Sequence, residues 1–593
     1  MGMRYAQHGG DFDVEDPGGV IRRAMRMGRR LRWPALGALL ATVAATAARL
    51  LGPLAVRSGI DDGIAQGDKG MITRAALVFL ALLAIQYLFA VISRYSVAWV
   101  GEQFLLDMRD RVFSHLMRLD VAFYSRSKTG VLVSRMTSDI ESLQEFASDA
   151  AAMALANVLT VVGVAVAMVL VDWRLALVVF ALISVLVALS VLFQRQSSKA
   201  YSQVRERIGL VLGALQEGIS GVRVVQAFTQ ESRQAGEFGR VNEDYYEANM
   251  AAARAITWYF PAVAFIRVVS IAAVLLFGGL RVIDDNMTFG TLVVFLLYLD
   301  WFFQPIINLA NVYNLAQAAI AALAKLFSVL DEQPAIAERP GAYDLESPVR
   351  GGVRFEDVSF GYDPHSPVLR NVDLAIPPGQ RLAVVGETGA GKSTIAKLIL
   401  RFYDPDEGAV AIGGSDLRDV TKASLNRAVA LIPQDGFLFN GTLRENLKYA
   451  RPDATDQEVW DVLRAMGVDG WIRDLEDQLD TEVRERGSRF SAGERQLVAL
   501  ARAFLADPEV IVLDEATSNL DPETEVHVEG ALRVLLADRT SIVIAHRLRS
   551  AQRSDRIVMV DDGELVADGS HEELFEKSAA YRRLVEVWER GLV

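Results

Sequence analysis

The chain of 593 residues is too long for one ordinary domain, so its length predicts at least two. Apolar residues make up 51% and charged residues 23%, a mixture typical of a membrane part joined to a water-exposed part. The absence of cysteine excludes disulfides, zinc–thiolate sites and thiol catalysis. The net charge of −13 lies in the C-terminal part, where residues 351–593 carry 29 Lys and Arg against 43 Asp and Glu, which argues against a nucleic-acid-binding protein.

Residues 1–18 are polar and rich in glycine, and we interpret them as a flexible N-terminus. The next stretch is basic and contains Arg22, Arg23, Arg26, Arg29, Arg30 and Arg32. It leads into an apolar run over residues 34–56, which is longer than the core of a signal peptide and is followed by further such runs. The run is therefore predicted to be a first transmembrane helix whose N-terminus lies in the cytoplasm.

Five further apolar runs are long enough to cross a bilayer, at residues 75–98, 149–171, 174–193, 256–280 and 290–312. Short connections follow the first, third and fifth spans, whereas much longer ones follow the second and fourth. The long connections are amphipathic and contain no proline, so we expect helices that continue into the cytoplasm. The sequence thus predicts a transmembrane domain of six helices over residues 19–330.

A linker rich in proline, glycine and acidic residues covers residues 331–352. From residue 353 to residue 593, short β-branched runs alternate with helical patterns. This alternation predicts an α/β domain with a largely parallel sheet.

The segment GETGAGKST follows the strand-like run RLAVVG and fits the P-loop pattern G-x-x-x-x-G-K-[ST]. Its glycines allow backbone amides to surround an anion, its lysine adds a positive charge for the β- and γ-phosphates, and its serine can bind Mg²⁺. A glycine-rich turn that matches by chance is the alternative, and the flanking strand and helix patterns argue against it. The predicted nucleotide-binding residues are Gly386, Glu387, Thr388, Gly389, Ala390, Gly391, Lys392, Ser393 and Thr394.

Two more strand patterns end in side chains suited to ATP hydrolysis. The run VIVLDE ends in Asp514, predicted to hold Mg²⁺ through water, and Glu515, predicted to orient or deprotonate the attacking water. The run SIVIAH ends in His546. An acidic strand end or a lone histidine is weak evidence for a catalytic site by itself. Parallel strands, however, present their C-terminal ends at one edge of a sheet, where the two features can act together. We therefore expect both strand ends beside the P-loop.

With these motifs the chain resembles an ATP-binding-cassette (ABC) transporter of the exporter type, in which six transmembrane helices precede one nucleotide-binding domain. The resemblance runs from about residue 20 to the C-terminus. It implies that ATP and Mg²⁺ are the cofactors and that Glu515, His546 and Gln434 serve catalysis. It further implies that Tyr362 stacks on adenine, that Gln434 also touches Mg²⁺, and that Asp521 lies in a loop that crosses to a second nucleotide domain. FYSRSKTG (123–130) and QEGISGVRVVQAF (216–228) match the coupling segments of the family, and TEVRERG (481–487) matches the segment that communicates with the helix arms.

One motif departs from the family pattern, because FSAGE (490–494) replaces the signature LSGGQ. Ser491 and Gly493 are kept as candidate nucleotide contacts, but Ala492 replaces a glycine. Glu494 replaces an amide by an anion close to another anion, which is unfavourable unless it turns away or pairs with a neighbouring arginine, Arg489 or Arg495. The alternative is that FSAGE reflects harmless sequence change, because a glutamate is well accommodated at a helix start.

The family contains heterodimeric exporters in which one chain keeps the catalytic glutamate and histidine but carries an altered signature. This chain fits that description, so we expect a second ABC half-transporter as its partner, with a homodimer as the alternative. The resemblance implies ATP-driven export of a hydrophobic or amphipathic solute, a drug-like molecule or a lipid, by alternating access. Import of a metal chelate and an ATP-gated regulator or channel stay open as alternatives.

We expect the chain in a bacterial inner (plasma) membrane, with the N-terminus and the nucleotide domain in the cytoplasm. Charged residues within the predicted spans are expected to face an interior cavity or to reach the interface, namely Arg49, Arg94, Arg267 and Asp300. Aromatic residues of the last two spans are expected to line a cavity or to form an interfacial belt, namely Trp258, Tyr259, Phe260, Tyr298, Trp301, Phe302 and Phe303.

Overall fold

The computed structural model describes residues 16–346, 352–363, 365–434, 436–514, 522–545 and 547–589. These residues form two compact units. The first comprises the described residues up to Met117 together with Thr129–Glu332, and the second comprises Arg118–Lys128 with the described residues from Gln333 onward. The short segment Arg118–Lys128 therefore belongs to the second unit, although the chain on both sides of it belongs to the first.

The first unit is helical throughout. Its α-helices, together with α4 from the second unit, are α1 (Pro17–Met27), α2 (Arg32–Ser58), α3 (Lys69–Leu116), α4 (Val121–Arg126), α5 (Thr129–Ser134), α6 (Ile140–Glu145), α7 (Ala151–Ser220), α8 (Val222–Ala227), α9 (Glu231–Thr257), α10 (Tyr259–Ile283) and α11 (Phe289–Asp331). A 3-10 turn joins α1 to α2, and π-helical turns cover Gly59–Ile64, Arg135–Asp139 and Phe146–Ala150.

The predicted spans all fall on these helices. Five stretches of the described residues are long and apolar enough to cross a membrane, and a shorter apolar helix covers Phe289–Pro305. The predicted third and fourth spans lie in one stretch, α7, which is interrupted at Asp172, where the backbone is extended (φ −158°, ψ 104°). The Asp172 carboxylate accepts hydrogen bonds from the amides of Arg174 and Leu175, so it caps the helix that follows. The connection between these two spans is therefore a single break in a long helix.

The core of the helical unit contains several of the aromatic residues expected at a cavity or an interface. Tyr298 is fully buried and donates to the backbone carbonyl of Leu50 at 2.6 Å. Tyr259 stacks on Phe193, with ring centroids 4.0 Å apart. Tyr298 and Tyr259, together with Phe302 and Phe303, belong to one cluster of buried side chains. For these four residues the expectation of a cavity wall or an interfacial belt is wrong, because tight helix packing covers them.

The described residues of the second unit contain ten strands. They are β1 (Val353–Phe360), β2 (Leu369–Ile376), β3 (Arg381–Val385), β4 (Glu407–Ile412), β5 (Ser415–Asp416), β6 (Val429–Ile432), β7 (Val510–Asp514), β8 (Thr540–Ile544), β9 (Arg556–Asp561) and β10 (Glu564–Gly569). One sheet has the order β2-β1-β4-β5 and is antiparallel. The other has the order β10-β9-β3-β8-β7-β6 and is parallel except for the hairpin of β9 and β10. The predicted α/β domain with a largely parallel sheet is confirmed.

Helices pack on and beside these sheets. They are α12 (Lys392–Ile399), α13 (Lys422–Ala428), α14 (Leu443–Leu447), α15 (Asp456–Ala465), α16 (Asp469–Arg473), α17 (Ala492–Ala506), α18 (Pro522–Leu535), α19 (Leu548–Gln552), α20 (His571–Lys577) and α21 (Ala579–Glu589). One buried cluster joins the two sheets through α12, and a second joins α14, α15 and α17 to β6 and β7. The strands β3 and β7 consist almost entirely of buried residues, as expected for a sheet covered on both faces.

Candidate nucleotide-binding site

The ends of neighbouring parallel strands bring two of the sequence motifs to one edge of the sheet. Val384 of β3 lies in register with Ile544 of β8, and Ile544 lies in register with Asp514 of β7. The P-loop begins two residues after Val384, so it emerges at the same edge as the half-buried Asp514. Such an edge, at the carboxyl ends of parallel strands, is where α/β proteins bind ligands.

A third motif follows the next strand at this edge. Ile432 of β6 lies in register with Leu513 of β7. Gln434 comes two residues after Ile432, and it is exposed. The structure therefore places the P-loop, Asp514 and the loop that carries Gln434 along one side of the sheet.

The backbone of the P-loop adopts conformations that require glycine. Gly386, Gly389 and Gly391 have φ values of +148°, +90° and +111°. A Cβ atom on Gly386 would lie 2.1 Å from the carbonyl oxygen of Val560, so no larger residue fits there. α12 begins at Lys392, directly after the loop. Within this start, the amides of Thr394 and Ile395 donate to the Gly391 carbonyl at 3.0 Å and 3.2 Å. The positive end of the helix dipole therefore lies at the loop, where it favours an anion.

Lys392 supplies a cation inside this loop. Its side chain is buried, with 5% of the residue exposed, and its Nζ donates to the carbonyl oxygens of Gly386 at 2.9 Å and of Glu387 at 2.8 Å. A cation removed from water is stabilised strongly by an opposite charge. The loop therefore combines a helix N-terminus with a fixed positive charge, an arrangement that suits a phosphate group.

The other predicted residues of the loop divide into a tip and a base. Thr388 is exposed at the tip, whereas Ala390 is buried and its amide donates to the Glu387 carbonyl at 3.2 Å. Ser393 is half-buried in the first turn of α12, and Thr394 is buried behind it. All nine predicted residues thus lie in one continuous loop and helix start.

The predicted adenine-stacking residue lies close to this loop. The hydroxyl of Tyr362 is 3.2 Å from Oγ1 of Thr394, and Lys397 Nζ donates to the same hydroxyl at 3.2 Å. The rings of Phe360 and Tyr403 contact that of Tyr362 edge to face. Tyr362 nevertheless keeps 46% of its surface exposed. An aromatic surface thus stands beside the phosphate loop, as base stacking requires.

Residues that the sequence analysis did not single out anchor the loop after Gln434. Asn446 is almost fully buried, and its Oδ1 accepts a hydrogen bond from the amide of Phe439 at 2.8 Å. Arg502 of α17 donates to the carbonyl oxygens of Asn446 at 2.9 Å and Phe437 at 3.3 Å. Burial of its guanidinium lowers the pKa of Arg502 from its usual value. In the sequence, the signal for this anchor is Arg502, a charged residue within the otherwise apolar stretch LVALARAFLA of α17.

The altered signature FSAGE forms the start of helix α17, and the Glu494 side chain hydrogen-bonds to the N-cap residue of that helix. Oγ of Ser491 accepts a hydrogen bond from the Glu494 amide at 3.2 Å, and Oε2 of Glu494 accepts one from the Ser491 amide at 2.7 Å. This reciprocal pair is a capping box. Arg495, considered above as a partner of Glu494, donates instead to the carbonyl oxygen of Phe490 at 2.7 Å. Ala492 is exposed and Gly493 is buried.

Three predicted site residues, Glu515, Asp521 and His546, lie outside the residues that the structure describes. The strands that lead to two of them are described: β7 ends at Asp514, and β8 ends at Ile544. The catalytic and inter-domain roles of all three remain predictions.

Comparisons with known proteins agree with this architecture. The sequence profile of the ABC transporter transmembrane region matches residues 36–306, and the ABC transporter profile matches residues 369–518. A multidrug efflux ATP-binding/permease protein of Mycobacterium tuberculosis is 35% identical over an alignment 593 residues long, which covers 98% of this chain and 49% of that protein. An ATP-dependent lipid A-core flippase of Syntrophus aciditrophicus is 33% identical over 529 residues, 89% of this chain and 88% of the flippase.

Among solved structures, that of a bacterial Atm1-family ABC exporter with ATP bound matches with a TM-score of 0.76 and 29% sequence identity. The match covers 95% of this chain and 99% of the exporter chain. The helical unit, the α/β unit and the P-loop thus occur together in proteins of known type. The chain belongs to the ABC transporter family, as an integral membrane half-transporter of the exporter type whose ATPase domain drives transport.

Proposed function

We propose that the chain exports a hydrophobic or amphipathic solute, a drug-like molecule or a lipid, as one half of an asymmetric pair with a second ABC half-transporter. Two relatives support the substrate class, since one is named for multidrug efflux and the other for flipping the lipid A-core. The solved exporter of similar fold supports the direction of transport. The proposal also includes a bacterial inner membrane and a cytoplasmic nucleotide domain.

The asymmetry rests on the capping box at FSAGE. The Ser491 amide and the Ser491 hydroxyl oxygen are both engaged with Glu494 in the same chain. A phosphate presented by a second nucleotide domain would meet the Glu494 carboxylate at the start of α17. Two unit charges of like sign 4 Å apart repel each other by about 4 kcal/mol near a protein surface. This helix start is therefore poorly suited to bind a γ-phosphate.

In the proposed mechanism, the ATP site of this chain is the hydrolytic one. The P-loop amides and Lys392 bind the phosphates, and Tyr362 stacks on the base. Glu515 orients the attacking water, and His546 contacts the γ-phosphate from the neighbouring strand end. Closure of the site requires an intact signature sequence, which the partner chain would supply.

The residues at this edge also fit a Mg²⁺ ion that is shared with ATP. Within the described residues, no group of three or more histidine, aspartate or glutamate side chains could hold a metal by itself. Mg²⁺ is commonly bound by one or two protein oxygens together with substrate phosphates, so a sparse set suits it. Ser393, Gln434 and Asp514 would hold the ion, the last through water. When bound, it would neutralise charge on the phosphates.

Charged groups in the helical unit support an amphipathic substrate. Arg267 and Asp300, on the apolar helices α10 and α11, form an ion pair of 2.6 Å, and both side chains are at least half exposed. The guanidinium of Arg49 lies 4.7 Å from the ring centroid of Trp301. Ionisable residues within membrane spans usually mark a pathway or a cavity. A solute with polar and apolar parts would match such a surface, while the role of Arg94 remains a prediction.

Transport into inverted membrane vesicles tests the proposal. Vesicles that contain the chain together with its partner half-transporter are expected to accumulate an amphipathic fluorescent dye when ATP is added. Vesicles with the substitution Glu515→Gln are expected to show no accumulation above the vesicle background. ATP-dependent loss of dye from preloaded inverted vesicles would indicate import and contradict export. ATP-dependent ion conductance without dye movement would favour the channel alternative.

A further inference from the structure

An open surface depression of about 610 Å³ on the helical unit is lined almost entirely by arginine. We call it the arginine pocket, and its lining residues are Arg23, Arg26, Met27, Arg29, Arg30 and Arg111. The first five come from α1 and the 3-10 turn after it, and the last comes from α3. Two parts of the unit that are far apart in sequence therefore direct like charges toward one space.

Acidic neighbours neutralise only part of this charge. Both terminal nitrogens of Arg23 donate to the carboxylate of Asp331 at 2.7 Å, and Nε of Arg111 donates to Asp107 at 2.8 Å. The other three arginines of the pocket, Arg26, Arg29 and Arg30, form no ion pair with the residues that the structure describes. Three positive charges that converge without a counter-ion repel each other, and an anion between them relieves that repulsion.

Specific contacts hold the pocket in place. The Arg23 guanidinium lies 4.4 Å above the ring centroid of Phe327 on α11, so Arg23 fastens α1 to that helix. At the 3-10 turn, Gly28 lies close to the Phe104 ring of α3, since a Cβ atom added to Gly28 would be 3.7 Å from that ring. α1 begins at Pro17 with Asp16 as its N-cap, an arrangement that fixes its start. The arginines thus project from an ordered helix and turn.

Exposed apolar side chains on the same segment indicate where the anion comes from. Ile21 and Met25 of α1 are 41% and 64% exposed, and Trp33 at the start of α2 is 69% exposed. A helix with basic and exposed apolar residues, followed by tryptophan and then an apolar span, is typical of the membrane interface. A soluble anion would need only the arginines, whereas a lipid would also use these apolar groups.

We propose that the arginine pocket binds the phosphate of an anionic phospholipid headgroup. Guanidinium groups bind phosphate oxygens through pairs of parallel hydrogen bonds, and arginine clusters beside a transmembrane helix attract anionic lipids. The acyl chains of that lipid lie along Ile21, Met25 and Trp33. The site is distinct from the ATP site, because its residues all belong to the helical unit.

Binding of a fluorescent phosphatidylglycerol to the detergent-solubilised transporter tests this site, with a fluorescent phosphatidylcholine as the neutral probe. The variant R26Q/R29Q/R30Q removes the three arginines that lack an acidic partner. Because each basic residue near the surface contributes about 1 kcal/mol, phosphatidylglycerol binding is expected to weaken on the order of 100-fold. Binding of phosphatidylcholine is expected to be the same for both proteins.

A matched variant separates this site from overall charge. R205Q/R240Q/R582Q removes three exposed arginines that form no ion pair with the described residues and lie outside the pocket. It is expected to bind phosphatidylglycerol as tightly as the wild type does. The thermal unfolding temperature of both variants serves as the folding check, and single substitutions replace the triple if it unfolds early.

Three outcomes would overturn the proposal. They are unchanged phosphatidylglycerol binding by R26Q/R29Q/R30Q, equal weakening by the matched variant, and displacement of the lipid by inorganic pyrophosphate at comparable concentration. The last outcome would assign the pocket to soluble phosphates. Retained lipid binding in the presence of pyrophosphate, with loss only in the pocket variant, supports the lipid site.

Discussion

The ammonium group of Lys392 is fixed by two carbonyl groups of its own loop, those of Gly386 and Glu387. It cannot swing freely in solvent as a surface lysine does, because the residue is almost fully buried. Its charge therefore stands beside the first-turn amides of α12 without further rearrangement. Preorganised charge of this kind stabilises a developing anion most effectively in a site with little water.

The substitution Lys392→Ala is expected to remove this charge and lower the ATPase rate of the complete transporter by about 100-fold or more. Binding of a fluorescent ATP analogue is expected to weaken as well, because the positive charge also acts on bound ATP. Lys577→Ala, which removes an exposed lysine of α20, is the matched control and should leave both quantities unchanged. An ATPase rate of the Lys392→Ala variant equal to that of the wild type would contradict the assigned role.

The close approach of Gly386 to β9 makes this position intolerant of a side chain. Alanine there would require an unfavourable backbone angle and would place Cβ 2.1 Å from the Val560 carbonyl. Alanine at Gly379, where φ is +74° and the surrounding space is open, meets only the backbone penalty of about 1–2 kcal/mol. Thermal unfolding should therefore show a larger loss of stability for Gly386→Ala, together with loss of ATP-analogue binding. Equal unfolding temperatures for the two variants would refute the close approach of the loop to β9.

At the scale of elements, Asp120 joins the short segment Arg118–Lys128 to the linker before β1. Its carboxylate accepts hydrogen bonds from the Phe123 amide at 3.0 Å, as the N-cap of α4, and from the amides of Ala335 and Ile336. The chain passes between the two units at this segment and again at the linker. The buried carboxylate of Asp120 therefore links the segment Arg118–Lys128 to the linker, the two points at which the chain enters the nucleotide-binding unit.

Removal of this tie by Asp120→Ala leaves the linker amides without an acceptor, at a cost of about 1–3 kcal/mol, and removes a helix cap worth about 1 kcal/mol. Hydrogen exchange at Ala335 and Ile336 is expected to become faster, and fewer solute molecules should be transported per ATP hydrolysed. Asp344→Ala, which alters an exposed carboxylate of the same linker, is the control. Unchanged hydrogen exchange in the linker would contradict the structural role of Asp120.

The sequence predicted most of the elements but few of the contacts between them. Apolar run length located the long apolar helices α2, α3, α7, α10 and α11, and β-branched runs located β3, β7 and β8, because both patterns follow from burial alone. The short connection predicted after the third span coincides with the break at Asp172 inside α7, but the capping role of the Asp172 side chain depends on backbone geometry, which composition does not reveal. Likewise, the acidic residue in FSAGE could be recognised as unusual, but its hydrogen bond to Ser491 depends on backbone geometry at the helix start.

At the scale of the whole molecule, the two units carry different chemistry, in agreement with the charge distribution along the chain. The acidic C-terminal part contains the ATP site, and the N-terminal part contains the arginine pocket. A family profile matches each part, so the combination of a membrane unit and an ATPase unit in one chain is established. The proposed asymmetric pair requires that two copies of this chain do not make a working pair of ATP sites.

The ATPase rate of the chain expressed without a partner tests the asymmetric pair most directly. We compare the wild type with A492G/E494Q, which restores the family signature at both changed positions, and with E494Q alone, which removes only the charge. If the pair is asymmetric, we expect negligible turnover by the wild type and a Glu515-dependent rise in the A492G/E494Q variant. A wild-type chain that forms a stable dimer and hydrolyses ATP as fast as A492G/E494Q would show that FSAGE closes a working site, and would contradict the asymmetric pair.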